Sequence, residues 1–357
     1  MTRTFVMGDP QAPFAKVMAV LDRHRMLTGD RLADDAALIS IGDHFDYDLL
    51  DPVTAGREGI TLLRWLASHD PAQVQILFGN HDASRVMELA HFTDATFGEA
   101  RALALEVQAS TQPLAAFTTR FPDLPPPGVV ARDYASFSVE QRDLVVELLL
   151  AGRFQLAIAA PLEGRTALLS HAAVTTRELE LLGLPAASDA HVIAVALRDQ
   201  LVRAIDRVRG DWQAGAITPL DLSPLHLAGG RGFEGGGLLY HRPSNPAVGS
   251  LFDHDRPRRF DPHSLPPGLT QIAGHSGHAK CVYELGDWVT AAARARKHGG
   301  VRALIVDGDR VTYDLVTANH PLVLPRSPTA AELVMVDGEM RRVQADEFDL
   351  LPLSDSI

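Results

Sequence analysis

An α/β fold with parallel strands joined by crossover helices is predicted for this chain by two features of its first 90 residues. Short apolar runs alternate with segments of helical period, and polar residues gather where each run ends. Residues 5–8 form the first run, and residues 14–27 follow with Val17, Met18, Val20 and Leu21 at helical spacing. Residues 38–42 are the second strand, 61–67 a helix, 74–78 the third strand, and 84–89 open another helix. Polar clusters at strand ends are where open α/β sheets build ligand sites.

Residues 94–152 read as a helical insertion, interrupted by Pro122 and by Pro125-Pro126-Pro127-Gly128, which predicts a turn or rigid connector. Strand-like runs return at 154–159 and 166–170, and 192–208 is a long amphipathic helix inside a second insertion at 176–225. The six glycines of 229–237 precede no Lys-Ser or Lys-Thr pair, so a flexible loop is expected and not a phosphate-binding P-loop. Strands are predicted at 269–273, 280–283, 301–306 and 310–315, with Asp307-Gly308-Asp309 as a hairpin turn. One catalytic domain is placed over 1–325, and 326–357 is set apart as an acidic C-terminal extension.

Composition narrows the function. The 357 residues suit one large domain or about two of ordinary size at roughly 150 residues each. Hydrophobic residues make up 46% and charged residues 22%, enough apolar material for a packed core. The 33 Lys and Arg against 45 Asp and Glu give a net charge of −12, which argues against binding a nucleic acid duplex; any phosphate must be held locally. A single cysteine, Cys281, cannot form an intramolecular disulfide, and no apolar run reaches membrane-spanning length, so a cytoplasmic protein is expected. No repeat and no leader-like start is visible. Oligomeric state is not legible.

In chain order the strand ends carry Gly8-Asp9-Pro10-Gln11, Gly42-Asp43-His44-Phe45-Asp46, Gly79-Asn80-His81-Asp82, Ser170-His171-Ala172 and Gly274-His275-Ser276-Gly277-His278. A lone Asp after a strand commonly caps the next helix. Five such blocks in series resemble the calcineurin-like metallophosphoesterase superfamily, whose pattern runs GD-x-H, GD-x-x-D, GNH with Asp or Glu, a lone His, and a GH block. The resemblance spans residues 9–278. The 37-residue spacing from Asp43 to Asn80 points to the branch holding Ser/Thr protein phosphatases and dinucleoside-tetraphosphate hydrolases.

The resemblance implies a four-layer αββα sandwich around two divalent metal ions, manganese foremost, with iron or zinc also suited to mixed carboxylate, amide and imidazole ligands. Asp9 and Gln11 would serve the first metal, Asp43 would bridge, and Asn80, His171 and His275 would complete the second. A metal-bridging hydroxide would attack phosphorus in line. His81 would be the general acid and Asp46 its orienting carboxylate. Arg242 is the candidate phosphate clamp, with Arg85 second. His278 is a possible added ligand, since it follows His275 by three residues where the pattern has two.

Two departures matter. Gln11 stands where the pattern usually has a histidine, which predicts a labile first metal. The arginine that follows GDxxD in true Ser/Thr protein phosphatases is missing, with Asp48 in that neighbourhood. The expected function is therefore hydrolysis of phosphate esters of small molecules or nucleotides, ahead of a protein Ser/Thr phosphatase. The alternative is a catalytically impaired relative that binds phosphate, nucleotide or a protein partner. His44 is expected to be structural, and Asp253-His254-Asp255 a solvated loop.

Overall fold

The computed structural model describes residues 2–47, 51–248, 257–317 and 327–353. Asp48 and the Asp253-His254-Asp255 run lie outside them. Strands β1 (Arg3–Met7), β2 (Ala36–Ser40), β3 (Val74–Leu77) and β4 (Phe154–Gln155) lie side by side and parallel, with Val6 opposite Ile39 and Ile39 opposite Gln75. Helices α1 (Phe14–Arg23) and α2 (Pro52–Ala67) make the first two crossovers. Helix α2 begins nine residues before the predicted position. Asp51 accepts hydrogen bonds from the Val53 and Thr54 amides, and Pro52 occupies the first helical position, a start signal stronger than the apolar period behind it.

Between β3 and β4 come α3 (Asn80–Ser84), α4 (Asp94–Gln108), α5 (Leu114–Arg120), α6 (Pro127–Arg132) and α7 (Val139–Leu150). The triple-proline block does more than connect, because Pro127 is the first residue of α6. The insertion carries its own apolar cluster, which includes Phe97, Phe117, Val130 and Phe137.

The predicted strand at 154–159 divides at Leu156, where the chain passes from one sheet to the other. The second sheet contains β5 (Ala157–Leu162), β6 (Arg165–Ser170), β7 (Thr270–Ala273), β8 (Arg302–Asp307), β9 (Arg310–Leu315) and β10 (Ala331–Met335), in the order β9-β8-β10-β7-β6-β5. Strands β6, β7 and β10 are mutually parallel. Gly308, at φ +59°, turns the β8–β9 hairpin as expected. Helices α8 (Thr176–Leu181) and α9 (Ala190–Gln213) link β6 to β7, and α10 (His278–Leu285) and α11 (Ala291–Ala295) follow β7.

Two expectations are corrected. Residues 280–283 are helical, inside α10, and not a strand. A run as short as Lys280-Cys281-Val282-Tyr283 has no readable period, whereas Cys281 and Leu285, four apart, bury one helical face. The 326–357 segment is no appendage among its described residues. Its apolar run at 331–335 is β10, fully buried between β8 and β7, and β11 (Leu351–Leu353) pairs antiparallel with β1. Averaging the tail's composition hid that run behind its flanking acids.

Val6, Ile39, Ile41 and Leu77 of the first sheet share one buried cluster with Ile158, Leu169, Ile272 and Val334 of the second. Leu38 and Ile76 pack with Val20, Leu63 and Val145 of α1, α2 and α7, while Leu304 and Leu333 pack with Leu285 and Ala293 of α10 and α11. At about 1.5–3 kcal/mol for each large apolar side chain buried, these clusters hold the strand ends in place. Among the described residues, no helix is long and apolar enough to cross a membrane.

Candidate active site

The parallel register brings six strand ends to one edge: Asp9 after β1, Asp43 after β2, Asn80 after β3, His171 after β6, His275 after β7 and Asp337 after β10. Their blocks interlock through backbone donors. The His275 amide donates to both carboxylate oxygens of Asp9 (3.1 and 2.9 Å), and the His81 amide donates to Asp43 Oδ1 (2.9 Å). Asp43, Asp46 and His275 hold left-handed backbone at φ +58°, +63° and +61°, strain of order 1–3 kcal/mol each that the surrounding packing must offset.

The glycines at these ends permit close approach. A Cβ on Gly274 would stand 2.0 Å from Asp9 Oδ1 and 2.8 Å from Ile41 Cγ2. Gly274→Ala should therefore displace the Asp9 carboxylate and weaken the binding of any divalent cation, manganese being the one to titrate, by roughly 10–100-fold. Calorimetric titration of the chelator-treated protein measures this, and unchanged affinity would show that Asp9 does not contribute.

Three ligand atoms, one each from Asp43, His171 and His275, lie within 4.8 Å of one another. His171 Nδ1 donates to the Ile41 carbonyl (2.8 Å), which turns Nε2 toward the cluster. It faces Asn80 Oδ1 at 3.0 Å and Asp43 Oδ1 at 3.3 Å. His275 Nε2 donates to the Tyr240 carbonyl (2.7 Å), leaving Nδ1 unprotonated. Burial, then the Arg242 and His171 charges, pushes the His275 imidazole well below its usual pKa and so keeps it neutral. Converging carboxylate, amide and imidazole acceptors, with the imidazoles oriented by backbone carbonyls, fit a divalent cation.

The Asp9 side is also electron-rich. Burial pushes the Asp9 carboxyl well up, and the neighbouring Asp337 and Asp43 charges push it further. Gln11 lines the same cavity; its Nε2 donates to the Phe45 carbonyl (3.0 Å), so Oε1 is the atom it could offer a cation. Asp337 escapes the sequence pattern because in Val334-Met335-Val336-Asp337-Gly338 the glycine follows the carboxylate, where the other blocks place the small residue before the candidate ligand.

His81 sits beside this cluster with its Nδ1 3.0 Å from Asp46 Oδ2 and its Nε2 3.8 Å from Asp43 Oδ2. Burial opposes protonation of the ring, but the Asp43 charge and the Asp46 hydrogen bond outweigh it, and the pKa rises to about 9. Burial alone would raise the Asp46 carboxyl; Arg85 and His81 overrule it and hold that group well below the carboxylate range. Asp46 Oδ1 also accepts from the Ser136 amide (3.0 Å) and hydroxyl (2.7 Å). Ser136 lies 90 positions along the chain, in the helical insertion, and no local pattern marks it.

The other sequence candidates divide. Arg242 lines the cavity, with its guanidinium carbon 5.2 Å from the Tyr240 ring centroid and, among the described residues, no hydrogen-bond partner for its buried Nε. Arg85 is no phosphate clamp: it is wholly buried, its Nη1 is 2.6 Å from Asp46 Oδ2, and its Nε donates to Gln141 Oε1 (3.1 Å). His278 is not brought to the site either. Helix α10 begins at this residue and carries the ring into the protein interior, where Nε2 donates to the Gly300 carbonyl (2.5 Å) and Nδ1 accepts from the Tyr313 hydroxyl (3.0 Å). His44 is buried between Ser40 Oγ and Asp82 (3.0 Å each). Asp82, also overlooked, ties the two blocks by accepting from the Asp43, His44 and Gly79 amides.

The cavity encloses about 290 Å³ and is walled outside the acidic cluster by Arg132, Asp133, Arg242, Lys280, Arg341 and Arg342. It joins a carboxylate and imidazole floor to a cationic rim.

A strand-end site on a mixed α/β fold is thus defined. No protein-family model matches the chain, and no curated protein matches it in sequence. Among solved structures, it superposes on a cold-active protein tyrosine phosphatase of a psychrophilic Shewanella with 9% identity and a TM-score of 0.39. The alignment covers 99% of this chain and 81% of that one. A point mutant of a cold-active protein tyrosine phosphatase gives 9% identity and 0.40 over the same shares. A further structure of a cold-active protein tyrosine phosphatase gives 11% and 0.35, covering 78% of this chain and 68% of that one. Likeness at this level assigns neither a family nor a function.

Proposed function

We propose that this protein is a metal-dependent phosphoesterase of the αββα type, acting on small phosphorylated molecules or nucleotides. The observation that carries the reading is the meeting of Asp9, Asp43, Asn80, His171 and His275 beside the His81–Asp46 pair at one edge of the parallel strands. Asp9, Gln11 and Asp43 would hold one divalent cation, and Asp43, Asn80, His171 and His275 a second, with manganese the first choice and iron or zinc the alternatives. When bound, such cations supply Lewis acidity at phosphoryl oxygens and a water of lowered pKa.

The chain's own groups do the rest. Asp46 holds the His81 ring with Nδ1 toward itself, so Nε2 presents a proton to the leaving oxygen. Arg242 offers guanidinium donors to the equatorial phosphoryl oxygens. The cavity volume suits a small ligand, and the single buried cysteine suits a cytoplasmic setting.

Turnover of p-nitrophenyl phosphate and bis(p-nitrophenyl) phosphate by chelator-treated protein, before and after manganese is restored, tests this. Activity should rise by roughly 10²-fold or more with metal, and the preferred compound separates monoester from diester chemistry. No turnover of either despite bound manganese would turn the reading toward a binding protein.

A further inference from the structure

We propose that the substrate's leaving group carries a second oxyanion, phosphate or carboxylate, held in a lobe beyond His81 by Arg132, Arg242, Arg258 and Lys280. This deepens the phosphoesterase reading and rests on it. A second cavity of about 240 Å³ adjoins the first and shares Arg132, Asp133, Arg242 and Lys280 with it. Arg258, Arg259, Glu234 and Glu284 line only the second.

The charges of that lobe do not balance. Three cations are paired within it: Arg132 with Asp133 (2.6 Å), Arg258 with Glu234 (2.8 Å) and Arg259 with Glu284 (2.8 Å). Among the described residues, Arg242 and Lys280 make no ion pair. They crowd each other instead: the Arg242 charge, then burial, brings the Lys280 ammonium down to about 8. Among the described residues, the buried Nε groups of Arg242 and Arg258 have no hydrogen-bond partner. In a chain of net charge −12, a lobe lined by five cations and only three carboxylates keeps a local positive surplus that an anion would relieve.

His81 lines the first cavity, and Arg132, Asp133, Arg242 and Lys280 form the wall that this cavity shares with the lobe. A leaving group that takes the His81 proton can extend across that wall into the lobe. If Arg242 and Lys280 served only the reacting phosphate, Arg258 would be irrelevant to affinity, and this separates the two cases.

Non-hydrolysable phosphonates provide the test, by calorimetric titration of the manganese-loaded full chain. Propylphosphonate represents the reacting group alone, propane bisphosphonate adds a second phosphonate, and phosphonobutanoate adds a carboxylate; pentyl-spaced counterparts allow for reach. At least one doubly anionic compound should bind about tenfold tighter than its monoanionic partner, and Arg258→Gln or Arg132→Gln should remove most of that advantage. An advantage confined to the bisphosphonate identifies phosphate; one shared with phosphonobutanoate extends the class to carboxylates. Equal affinity of single and double anions overturns the proposal, as does an advantage that survives both substitutions in proteins with unchanged circular dichroism. Failure of the parent reading looks different, since phosphate esters then go unhydrolysed whether or not the Arg258-dependent advantage appears.

Discussion

Replacing His81 with Asn should slow turnover of a phosphate monoester by roughly 10²–10⁴-fold while leaving the affinity for the proposed divalent cation and the far-ultraviolet circular dichroism close to the parent's. The ring stands between two carboxylates, 3.0 Å from Asp46 and 3.8 Å from Asp43, so removing it deletes a proton donor without emptying a ligand position. Poor leaving groups should lose more than p-nitrophenolate, because they depend more on protonation. In metal-free protein the His81 imidazole should titrate near 9 by NMR and fall toward its ordinary value in Asp46→Asn. The sign of the linked stability follows from a folded pKa raised above the unfolded value of about 6.5. The stabilisation is complete below about 6.5 and is lost as pH rises through about 9. Wild-type turnover by His81→Asn would remove it from the chemistry.

Arg85→Met should destabilise the protein by about 3–5 kcal/mol in urea unfolding at neutral pH. Both side chains of the Arg85–Asp46 pair are fully buried at 2.6 Å, and Arg85 also reaches the His81 carbonyl, Ser84, Gln141 and Ser136. Deleting the cation strands a carboxylate that Arg85 and His81 together hold charged. The double variant Arg85→Met with Asp46→Asn should recover part of the loss, because no unpaired charge stays behind. A loss below about 1 kcal/mol would mean that the pair is solvent-relaxed and not a structural strut of the site.

Much of the site was legible because its chemistry is local. Asp9, Asp43, Asn80, His171 and His275 each follow a short apolar run and a small residue, and a parallel sheet sends such positions to one edge whatever the intervening chain does. What escaped has other causes. Arg85 looked like an anion clamp because sequence shows its charge and not its partner, and only packing reveals that it is spent on Asp46. His278 shares a motif with His275, yet the start of α10 between them turns its ring into the interior. Asp337 was overlooked with the tail that contains it, and Ser136 meets Asp46 from 90 positions away.

The alternation of strands and helices, and the order of candidate ligand side chains along the chain, could be read from residue periodicity and the donor chemistry of single side chains. Which cations face the cavity, which are consumed in buried pairs, and that the last strands complete the second sheet and close the edge of the first came from the fold. Those outcomes depend on distances between residues far apart in the chain, and burial changes the electrostatic weight of each charge according to the neighbours that folding brings to it.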